Sequence, residues 1–255
     1  MSVILTYNVN GLRAAMRKDW MVWLQAVRPD VICLQEVKAT PDQVDVAPLE
    51  AAGYHMHWFP AEKKGYSGVA IFSLQPPLKV EKGMGIESHD AEGRVLLATF
   101  EHFSVISAYF PSGASKPERQ QVKMQFLADF DEYLQRIRPA HPKLVIAGDF
   151  NICHQPIDLH NPQRNLRSPG FLPEERAWLS RFLEGGFTDT FRHFNPEPHH
   201  YSWWSYRTNA RSRNLGWRID YQMVSEALNP HLKRSVMLPK AQHSDHCPVL
   251  LELDL

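Results

Sequence analysis

The sequence predicts an α/β protein in which two β-sheets pack face to face with helices on their outer sides. Three observations support this fold class. Apolar segments of strand length recur along the whole chain, and a few segments with helical spacing lie between them. The third is the absence of repeats, low-complexity tracts and linker-like boundaries, which indicates one domain over residues 1–255. The order of the segments is also compatible with a doubly wound sheet.

The first half of the chain contains five predicted strands and one predicted helix. The strands are expected at 3–9, 31–35, 68–72, 94–100 and 103–109. Only Glu101-His102 separates the last two, so they predict a hairpin. The helix is indicated by apolar residues at helical spacing before Pro29, which ends it: Met16, Trp20, Trp23, Leu24 and Val27.

The second half predicts two long helices and three further strands. One helix is expected over 116–138, where Ser115 and Glu118 form a capping box. The other begins at Pro173 and ends at Gly185-Gly186. A strand from Lys143 stops at an acid, Asp149, and the closing strands are expected near 219–224 and 247–253.

Composition excludes several classes of protein. The 255 residues are 44% hydrophobic, which is too apolar for a disordered chain. Lys plus Arg equals Asp plus Glu at 28 each, so the chain lacks the basic excess of a passive DNA coat. Basic residues are nevertheless concentrated locally, since four arginines fall within twelve positions: Arg207, Arg211, Arg213 and Arg218.

Targeting and cysteine patterns predict a soluble, cytoplasmic protein. No apolar run approaches the roughly 18 residues of a membrane span, and the first residues lack the basic region of a signal peptide. We therefore expect no membrane partner. The three cysteines are odd in number and lack metal-ligand spacing, so they predict small buried side chains rather than disulfides: Cys33, Cys153 and Cys247.

Polar residues of a restricted kind lie at the ends of the predicted strands. Each one alone is explained most simply as a turn or cap residue. Together they are hard to explain as coincidence, because a buried carboxylate is unfavourable unless it is paired or bound to a metal. If these strand ends share one edge of the sandwich, they form a single polar site: Asn8, Glu36, Tyr109, Asp149, Asn151, Asp220, Asp245 and His246.

The residue types predict metal-dependent phosphoryl transfer. Oxygen ligands without cysteine or paired histidine favour a hard cation, Mg²⁺, with Mn²⁺ as a substitute. Such an ion neutralises the charge that develops on a phosphate, a further Asp can accept a proton from water, and a His beside an Asp can stabilise the transition state as a cation. The chain has no P-loop and no Gly-x-Ser-x-Gly elbow, which disfavours those two enzyme classes.

These residues and their neighbours resemble the motifs of the exonuclease III / class II abasic-site endonuclease family, in order and over essentially the whole chain. The matching segments are 7–13, 34–36, 109–113, 148–151, 170–176, 216–221 and 244–246. The resemblance implies the four-layered α/β sandwich of two mixed sheets that is shared with deoxyribonuclease I. It also implies base excision repair: cleavage of the phosphodiester 5′ to abasic sites, with exonuclease and phosphatase action at DNA 3′ ends.

The resemblance assigns a role to each strand-end residue. The implied metal site consists of Asn8, Glu36, Asp149, Asn151, Asp245 and His246, with Glu36 as principal ligand, Asn8 orienting it, and Asp245 acting directly or through water. The implied catalytic residues are Tyr109, Asp149, Asn151, Asp220 and His246. Among these, Asp149 activates the attacking water, Asn151 orients it, and His246 contacts the phosphate with Asp220 as its partner. Whether Tyr109 is a hydrogen-bond donor or a nucleophile stays open.

The resemblance also predicts a DNA-binding surface. In the family the positions of Trp203, Trp217 and Ile219 wall the pocket for a flipped-out abasic sugar. Of Trp203 and Trp204, we expect one to lie in the core. The expected DNA contacts are completed by Arg94, Arg211 and His246. The loop 155–169 is either a further DNA-facing segment or a solvated loop. The expected partner is double-stranded DNA with abasic sites or 3′ ends, bound by a monomer.

Two other functions are compatible with parts of this pattern. Phosphoinositide phosphatases and sphingomyelinases share the same acidic core, but the 216–221 motif and the Trp203-Trp204 segment favour DNA over lipid. A catalytically inactive nucleic-acid-binding regulatory homologue is disfavoured because the acidic set is complete. In one departure, animal members carry Asp where Asn10 stands and bacterial members often carry Asn, so a contribution of this position to the charge of the metal site is left open.

Overall fold

The computed structural model describes residues 1–114 and 117–255. Its strands are β1 (Ser2–Asn8), β2 (Val31–Gln35), β3 (His55–Phe59), β4 (Val69–Ser73), β5 (Lys79–Lys82), β6 (Val95–Thr99), β7 (Ser104–Tyr109), β8 (Leu144–Asp149), β9 (Phe187–Asp189), β10 (Asp220–Ser225), β11 (Leu232–Met237) and β12 (Val249–Leu253). Its α-helices are α1 (Leu12–Met16), α2 (Trp20–Val27), α3 (Ala47–Ala51), α4 (Glu87–Asp90), α5 (Pro117–Ile137), α6 (Pro173–Glu184) and α7 (Thr190–Phe194).

The strands form two mixed sheets of six. One has the order β11-β12-β1-β2-β4-β3 and the other β5-β6-β7-β8-β10-β9. Each sheet contains one parallel pair, β1 with β2 and β7 with β8, and the other pairs are antiparallel. The predicted hairpin is confirmed as β6 and β7, which pair in register from Val95–Ala108 to Thr99–Ser104.

Three hydrophobic clusters explain why the sheets stack in layers. One cluster lies between the sheets and includes Ile4, Ile71 and Val145. A second packs one sheet against α5 and α6, and a third packs the other sheet against α1 and α2. Burial of apolar side chains on both faces of each sheet stabilises this arrangement. The predicted sandwich of two sheets between outer helices is therefore confirmed, and the doubly wound alternative is wrong.

Several predicted elements differ from the structure for identifiable reasons. The helix expected from Met16 to Val27 is two helices, α1 and α2, because Asp19 has a left-handed backbone (φ 58°) that interrupts the helix. Four strands had no predicted counterpart: β3, β5, β9 and β11. The capping box expected at Ser115 and Glu118 falls partly outside the described residues, since Ser115 is not among them.

Two simpler expectations concern burial and membrane helices. All three cysteines are buried and free, as predicted. Among the described residues, no helix has both the length and the apolar character needed to cross a bilayer.

Candidate active site

Strand register brings the predicted polar residues to one edge of the sandwich. Asn8 ends β1 opposite Gln35 of the parallel strand β2, so Glu36 follows directly beside it. Tyr109 and Asp149 are partners at the ends of the parallel strands β7 and β8. Because β10 is antiparallel to β8, its first residue, Asp220, pairs with Asp149. The carboxyl ends of four strands and the start of a fifth therefore meet.

A glycine allows the close approach of β7 and β8. A Cβ atom at Gly148 would collide with the backbone oxygen of Ala108, so any other residue would push the two strands apart. Gly148 immediately precedes Asp149. The Gly-Asp sequence therefore serves the packing of the strand pair as well as the end of the strand.

Asp149 lies at the centre of the cluster and is 1% exposed. One carboxylate oxygen accepts a hydrogen bond from the Asn8 amide at 2.9 Å, and the other accepts from the backbone N–H of Asn151 at 2.8 Å. Burial, followed by the nearby carboxylate of Asp220, raises the pKa of Asp149 to about 7. An acid in this range is suited to accept a proton near neutral pH.

Glu36 and Asp149 share one amide donor. The Asn8 amide nitrogen donates to Glu36 Oε1 at 2.9 Å as well as to Asp149, and its oxygen accepts from the backbone N–H of Asn10. Burial opposes the ionisation of Glu36, but Lys38 and the Asn8 hydrogen bond hold the pKa of Glu36 below its ordinary value. Asn8 thus orients the two acids, as predicted from the resemblance, and its place among the metal ligands stays a prediction.

The cluster fits a hard divalent cation. One potential ligand atom from each of Glu36, Asp149 and His246 lies within 4.8 Å of the others. Carboxylate oxygens are the donors that Mg²⁺ and Mn²⁺ prefer. Asp245 is not in this group, and its oxygens accept from Asn10 and from the indole of Trp203 at 2.9 and 3.0 Å. This position suits a contribution through water better than direct ligation.

His246 has an acid near each of its two ring nitrogens. Its Nδ1 lies 2.9 Å from Asp220 Oδ2, and its Nε2 lies 3.9 Å from Asp149 Oδ2. The same Asp220 oxygen accepts from the hydroxyl of Ser202 at 2.7 Å. Burial alone would lower the pKa of His246, but Asp220 and the other acids raise it to about 10. A cationic ring is a good donor to a phosphate and a poor metal ligand.

Tyr109 is held as a neutral phenol. Its ring lies under the Arg94 guanidinium, 4.8 Å from the ring centre, and the Glu36 carboxylate is close enough to act on its charge. Burial and the negative charge of Glu36 raise the pKa of Tyr109 well above its ordinary value. The protonated phenol is a hydrogen-bond donor, and the phenolate that a nucleophile requires is disfavoured.

These residues open into a cleft of about 470 Å³. Trp203 and Trp217 form one wall, edge to face with ring centres 6.4 Å apart. Trp204 is buried in the core while Trp203 is only half-buried, which confirms that one of the two tryptophans belongs to the core. The cleft lining contains nine of the predicted site residues: Glu36, Tyr109, Asp149, Asn151, Trp203, Trp217, Ile219, Asp245 and His246.

Five further lining residues were not singled out as site residues, although four of them lie in the segments 109–113 and 170–176 or in the loop 155–169. They are small or lack long side chains and come from two loops: Ser112, Ala114, Ser168, Pro169 and Gly170. Gly170 has a left-handed backbone, and a Cβ there would lie 3.3 Å from the ring of Trp217. Only the end of the loop 155–169 thus reaches the cleft. Elsewhere in that loop, the backbone N–H of His160 donates to the carbonyl of Gly216.

A larger cavity of about 540 Å³ lies elsewhere, lined by residues that include His199, Tyr201 and Trp204. Its lining contains no carboxylate, and Arg211 is the one predicted site residue among them. Size alone therefore does not identify the functional site. The smaller cleft is the candidate because it joins carboxylates, a cationic histidine and apolar walls.

Two predicted DNA contacts are engaged within the protein. Arg94 is 2% exposed and is bonded to Glu92, the Tyr66 hydroxyl and the backbone oxygen of Tyr109, so it supports Tyr109 and presents little surface to a duplex. Arg211 donates to three backbone carbonyls, those of Pro239, Ala241 and Ser244, and its guanidinium covers Trp204. It therefore stabilises the segment that precedes Asp245.

Asn151 reaches Asp149 through a turn of the chain. A continuing extended strand would place residues two apart on the same side of the sheet. In fact the strand ends at Asp149, and Asn151 has a left-handed backbone (φ 52°). Its amide reaches Asp149 Oδ2 at 3.3 Å and the backbone oxygen of Phe110 at 3.0 Å because the chain turns there. The two residues meet, but through a turn.

Two supporting residues carried no signal in the sequence. Lys38 forms an ion pair with Glu36 at 2.7 Å and donates to the Asn10 side chain at 2.6 Å. Asn10 in turn donates to Asp245, so it links the lysine to that acid. Ser202 accepts from the backbone N–H groups of Ile219 and Asp220 at 3.0 Å. Only their nearness to the acids in space reveals their importance.

Known proteins resemble this chain over its full length. The pattern of the Endonuclease/Exonuclease/phosphatase family matches residues 5–246. An exodeoxyribonuclease of Bacillus subtilis (strain 168) is 45% identical over 254 residues, which cover 99% of both chains. The DNA repair nuclease APEX1 of Danio rerio is 42% identical over 98% of this chain and 81% of that protein.

Solved structures agree with the sequence relatives. An AP endonuclease from Archaeoglobus fulgidus superposes with a TM-score of 0.92 at 32% identity and full coverage of both chains. The 3′ phosphatase NExo from Neisseria, bound to a product DNA hairpin, superposes with a TM-score of 0.92 at 33% identity and full coverage. The predicted fold and the predicted class of function, a nuclease of DNA repair, are confirmed, and the chain belongs to the Endonuclease/Exonuclease/phosphatase family.

Proposed function

We propose that this protein hydrolyses DNA phosphodiesters with the help of Mg²⁺, cutting 5′ to abasic sites and trimming or unblocking 3′ ends. One observation supports this more than any other. The Asp149–His246–Asp220 cluster opens, through Asp149 and His246, into a cleft that also has an aromatic wall. A phosphate at the cluster would place the adjoining sugar against that wall.

Each residue of the cluster has a chemical task in the proposed hydrolysis. Glu36 and Asp149 would hold the cation, which when bound neutralises phosphate charge and positions the substrate. Asp149, which Asn8 and Asn151 hold in place, accepts a proton from the attacking water while the oxygen of that water bonds to phosphorus. His246 and the Tyr109 hydroxyl donate to the phosphate oxygens as the bond to the leaving oxygen breaks, and the leaving oxygen takes up a proton from water.

The shape of the cleft supports an abasic sugar as the preferred substrate. The part of the 470 Å³ cleft that Trp203, Trp217 and Ile219 border has apolar walls. A deoxyribose without its base is smaller than a nucleotide and is cheaply unstacked from the duplex. Gly170 lacks a side chain beside Trp217, which leaves room for the sugar ring. An intact nucleotide would have to fit its base into the same space.

A 3′-end activity is the second candidate. The Neisseria relative is a 3′ phosphatase, and its structure is as similar to this chain as that of the Archaeoglobus AP endonuclease. A terminal phosphate can reach the same acids without a flipped sugar. Both activities would therefore use the same acids and His246. They would differ in whether a flipped sugar packs against the aromatic wall. Cytoplasmic location and a monomeric state stay predictions.

The proposal is tested by comparing three duplexes: one with an internal abasic analogue, one with a 3′-phosphate and one intact. With Mg²⁺ we expect cleavage of the first 5′ to the abasic position and release of phosphate from the second, and with EDTA we expect neither. Product size and end chemistry are read by electrophoresis and mass spectrometry. Absence of metal-dependent reaction on both damaged duplexes would overturn the nuclease proposal, and equal cleavage of the intact duplex would overturn the abasic preference.

A further inference from the structure

A buried ion pair lies behind the cleft and takes no part in the chemistry proposed above. Lys123 of α5 and Glu175 of α6 are both 0% exposed, and Lys123 Nζ lies 2.5 Å from Glu175 Oε1. Neither residue lines the cleft. The pair joins two helices that pack on the outer face of one sheet.

The remaining hydrogen bonds of the pair go to the two loops that form the cleft. Lys123 Nζ also donates to the backbone oxygen of Asn151 at 2.8 Å. Glu175 Oε2 accepts from the backbone N–H groups of Gly170 and Leu172 at 2.7 and 2.9 Å. The lysine therefore holds the loop that carries Asn151, and the glutamate holds the loop that carries Gly170 beside Trp217.

The two loops are also bonded to each other. The backbone N–H of Cys153 donates to the Gly170 oxygen at 2.7 Å, and the ideal Cβ position at Gly170 lies 3.1 Å from the Asn151 oxygen. A shift of either loop must move the other. One buried pair thus controls the spacing between Asn151, which faces the phosphate, and Gly170, which faces the sugar.

Stability alone gives little reason for this pair. Removing two charges from water carries a large desolvation penalty, and apolar replacements of buried ion pairs are often as stable as the pair itself. Loops that carry catalytic or recognition groups, in contrast, need fixed partners to keep those groups within a fraction of an ångström of their working positions. The contacts of Lys123 and Glu175 are directed at such loops.

We propose that Lys123 and Glu175 are a positioning pair: Lys123 sets the Asn151 side of the cleft for turnover, and Glu175 sets the Gly170 side for recognition of the abasic sugar. This proposal rests on the proposed function for its kinetic part. Its structural part, the ordering of the two loops, is independent of any activity.

Two double variants separate the roles. Lys123→Met/Glu175→Gln removes both charges and the donor to Asn151, while the Gln carbonyl can still accept from Gly170 and Leu172. Lys123→Met/Glu175→Leu removes both sets of bonds. For the first we expect kcat on an abasic duplex to fall by about tenfold or more, with the Kd of that duplex in EDTA little changed. For the second we expect the same fall together with weaker preference for abasic over intact duplex.

A matched control comes from the same helix. Asp129 of α5 pairs with His89 at 2.7 Å on a part of the surface that does not border the cleft. Asp129→Asn should leave kcat and abasic preference at the wild-type values. Melting temperature is measured for all variants, and a second measurement, amide hydrogen exchange of 150–153 and 168–172, reports loop order without activity.

The outcomes are distinct. Faster exchange confined to the two segments, with the expected kinetic split, supports the proposal. Wild-type exchange and wild-type kinetics in both folded double variants would overturn it, as would equal kinetic losses in Asp129→Asn. If the wild-type protein cleaves no DNA, the proposed function fails, yet the exchange measurement still decides whether the pair orders the loops. If the Leu variant does not fold, the Gln variant decides.

Discussion

Two buried aspartates at the same end of the molecule illustrate how surroundings determine the role of one side chain. Asp149 and Asp158 are 1% and 0% exposed. Asp158 accepts from Arg218 at 2.7 and 2.9 Å and from Arg192 at 2.6 Å. Within the described residues, the short hydrogen bonds to Asp149 come from the side-chain amides of Asn8 and Asn151 and from the backbone N–H of Asn151, all of them uncharged. Another acid, Asp220, lies close to it.

The electrostatic result is opposite at the two sites. Burial opposes the ionisation of both acids, but two guanidinium groups lower the pKa of Asp158 to about 2, whereas Asp220 adds to the effect of burial and raises the pKa of Asp149 to about 7. Asp158 is a permanent anion that holds Arg218 between the cleft residues Trp217 and Ile219. Asp149 can exchange a proton, or bind a cation, in the range where the enzyme would work. The comparison predicts that one aspartate serves stability and the other turnover.

Asp149→Asn is expected to have the largest effect on turnover. Loss of the proton acceptor should lower kcat by about 10²- to 10⁴-fold. Binding of an abasic duplex and the melting temperature should change little, because the amide keeps an oxygen for Asn8 and removes a buried charge. The measurement is single-turnover cleavage with Mg²⁺, beside binding in EDTA. Turnover close to that of the wild type would show that another group accepts the proton.

Asp158→Asn should reverse this pattern. The variant leaves Arg218 with one anionic partner, Asp189 at 2.7 Å, and leaves Arg192 without its acid. Breaking a buried ion pair from one side costs about 3–5 kcal/mol of unfolding free energy. Urea unfolding measures this loss, and kcat measured well below the melting temperature should fall far less than in Asp149→Asn. A stable variant with a large kcat loss would contradict the structural role of Asp158.

The pH dependence of stability should differ in sign between the two aspartates. The folded pKa of Asp158 is below its unfolded value, so its stabilisation of about 2 kcal/mol is present above about pH 4 and is lost as the pH falls towards 2. The folded pKa of Asp149 is raised, so without metal its contribution is greatest below about pH 4 and is lost as the pH rises towards 7. Urea unfolding of the wild type and both Asn variants in EDTA separates the two slopes. Parallel profiles for all three proteins would mean that neither aspartate has a shifted pKa.

The sequence predicted one of these aspartates and missed the other for a physical reason. Asp149 follows an apolar strand and belongs to a recognisable motif, so local pattern was sufficient. Asp158 lies in a loop, and its partner Arg218 is 60 positions away, so no local pattern identifies the pair. The same limit applies to Arg94, which was expected at DNA, and to Lys123, whose burial depends on a glutamate 52 positions further along.

The strands also divide into those that local sequence pattern predicts and those that depend on a distant partner. Strands buried on both faces, such as β2 and β8, are continuous apolar runs and were predicted to within one or two residues. Edge and short strands were missed, because β5 reads Lys-Val-Glu-Lys and β11 carries Lys233 and Arg234 on its exposed face. Their strand structure comes from hydrogen bonds to a neighbour rather than from their own sequence.

The smallest expected effect tests how much Arg192 and Arg218 each contribute to stabilising the ionised form of Asp158. Arg192 is 17% exposed in its side chain, whereas Arg218 is fully buried and donates to both oxygens of Asp158. Arg192→Met should therefore cost less than Asp158→Asn, about 1 kcal/mol of unfolding free energy, because Arg218 keeps its two hydrogen bonds to the acid and holds it ionised.

The control for Arg192→Met is Lys233→Gln, which removes an ion pair whose side chains are 54% and 63% exposed. We expect no measurable change in its urea midpoint, because an exposed pair loses little when water replaces it. Arg192→Met should also move the acid limb of the stability profile upward in pH, since one of the two cations that lower the pKa of Asp158 is gone. If Arg192→Met were as destabilising as Asp158→Asn, the carboxylate would depend on both arginines together, and the buried Arg218 alone would not keep it ionised.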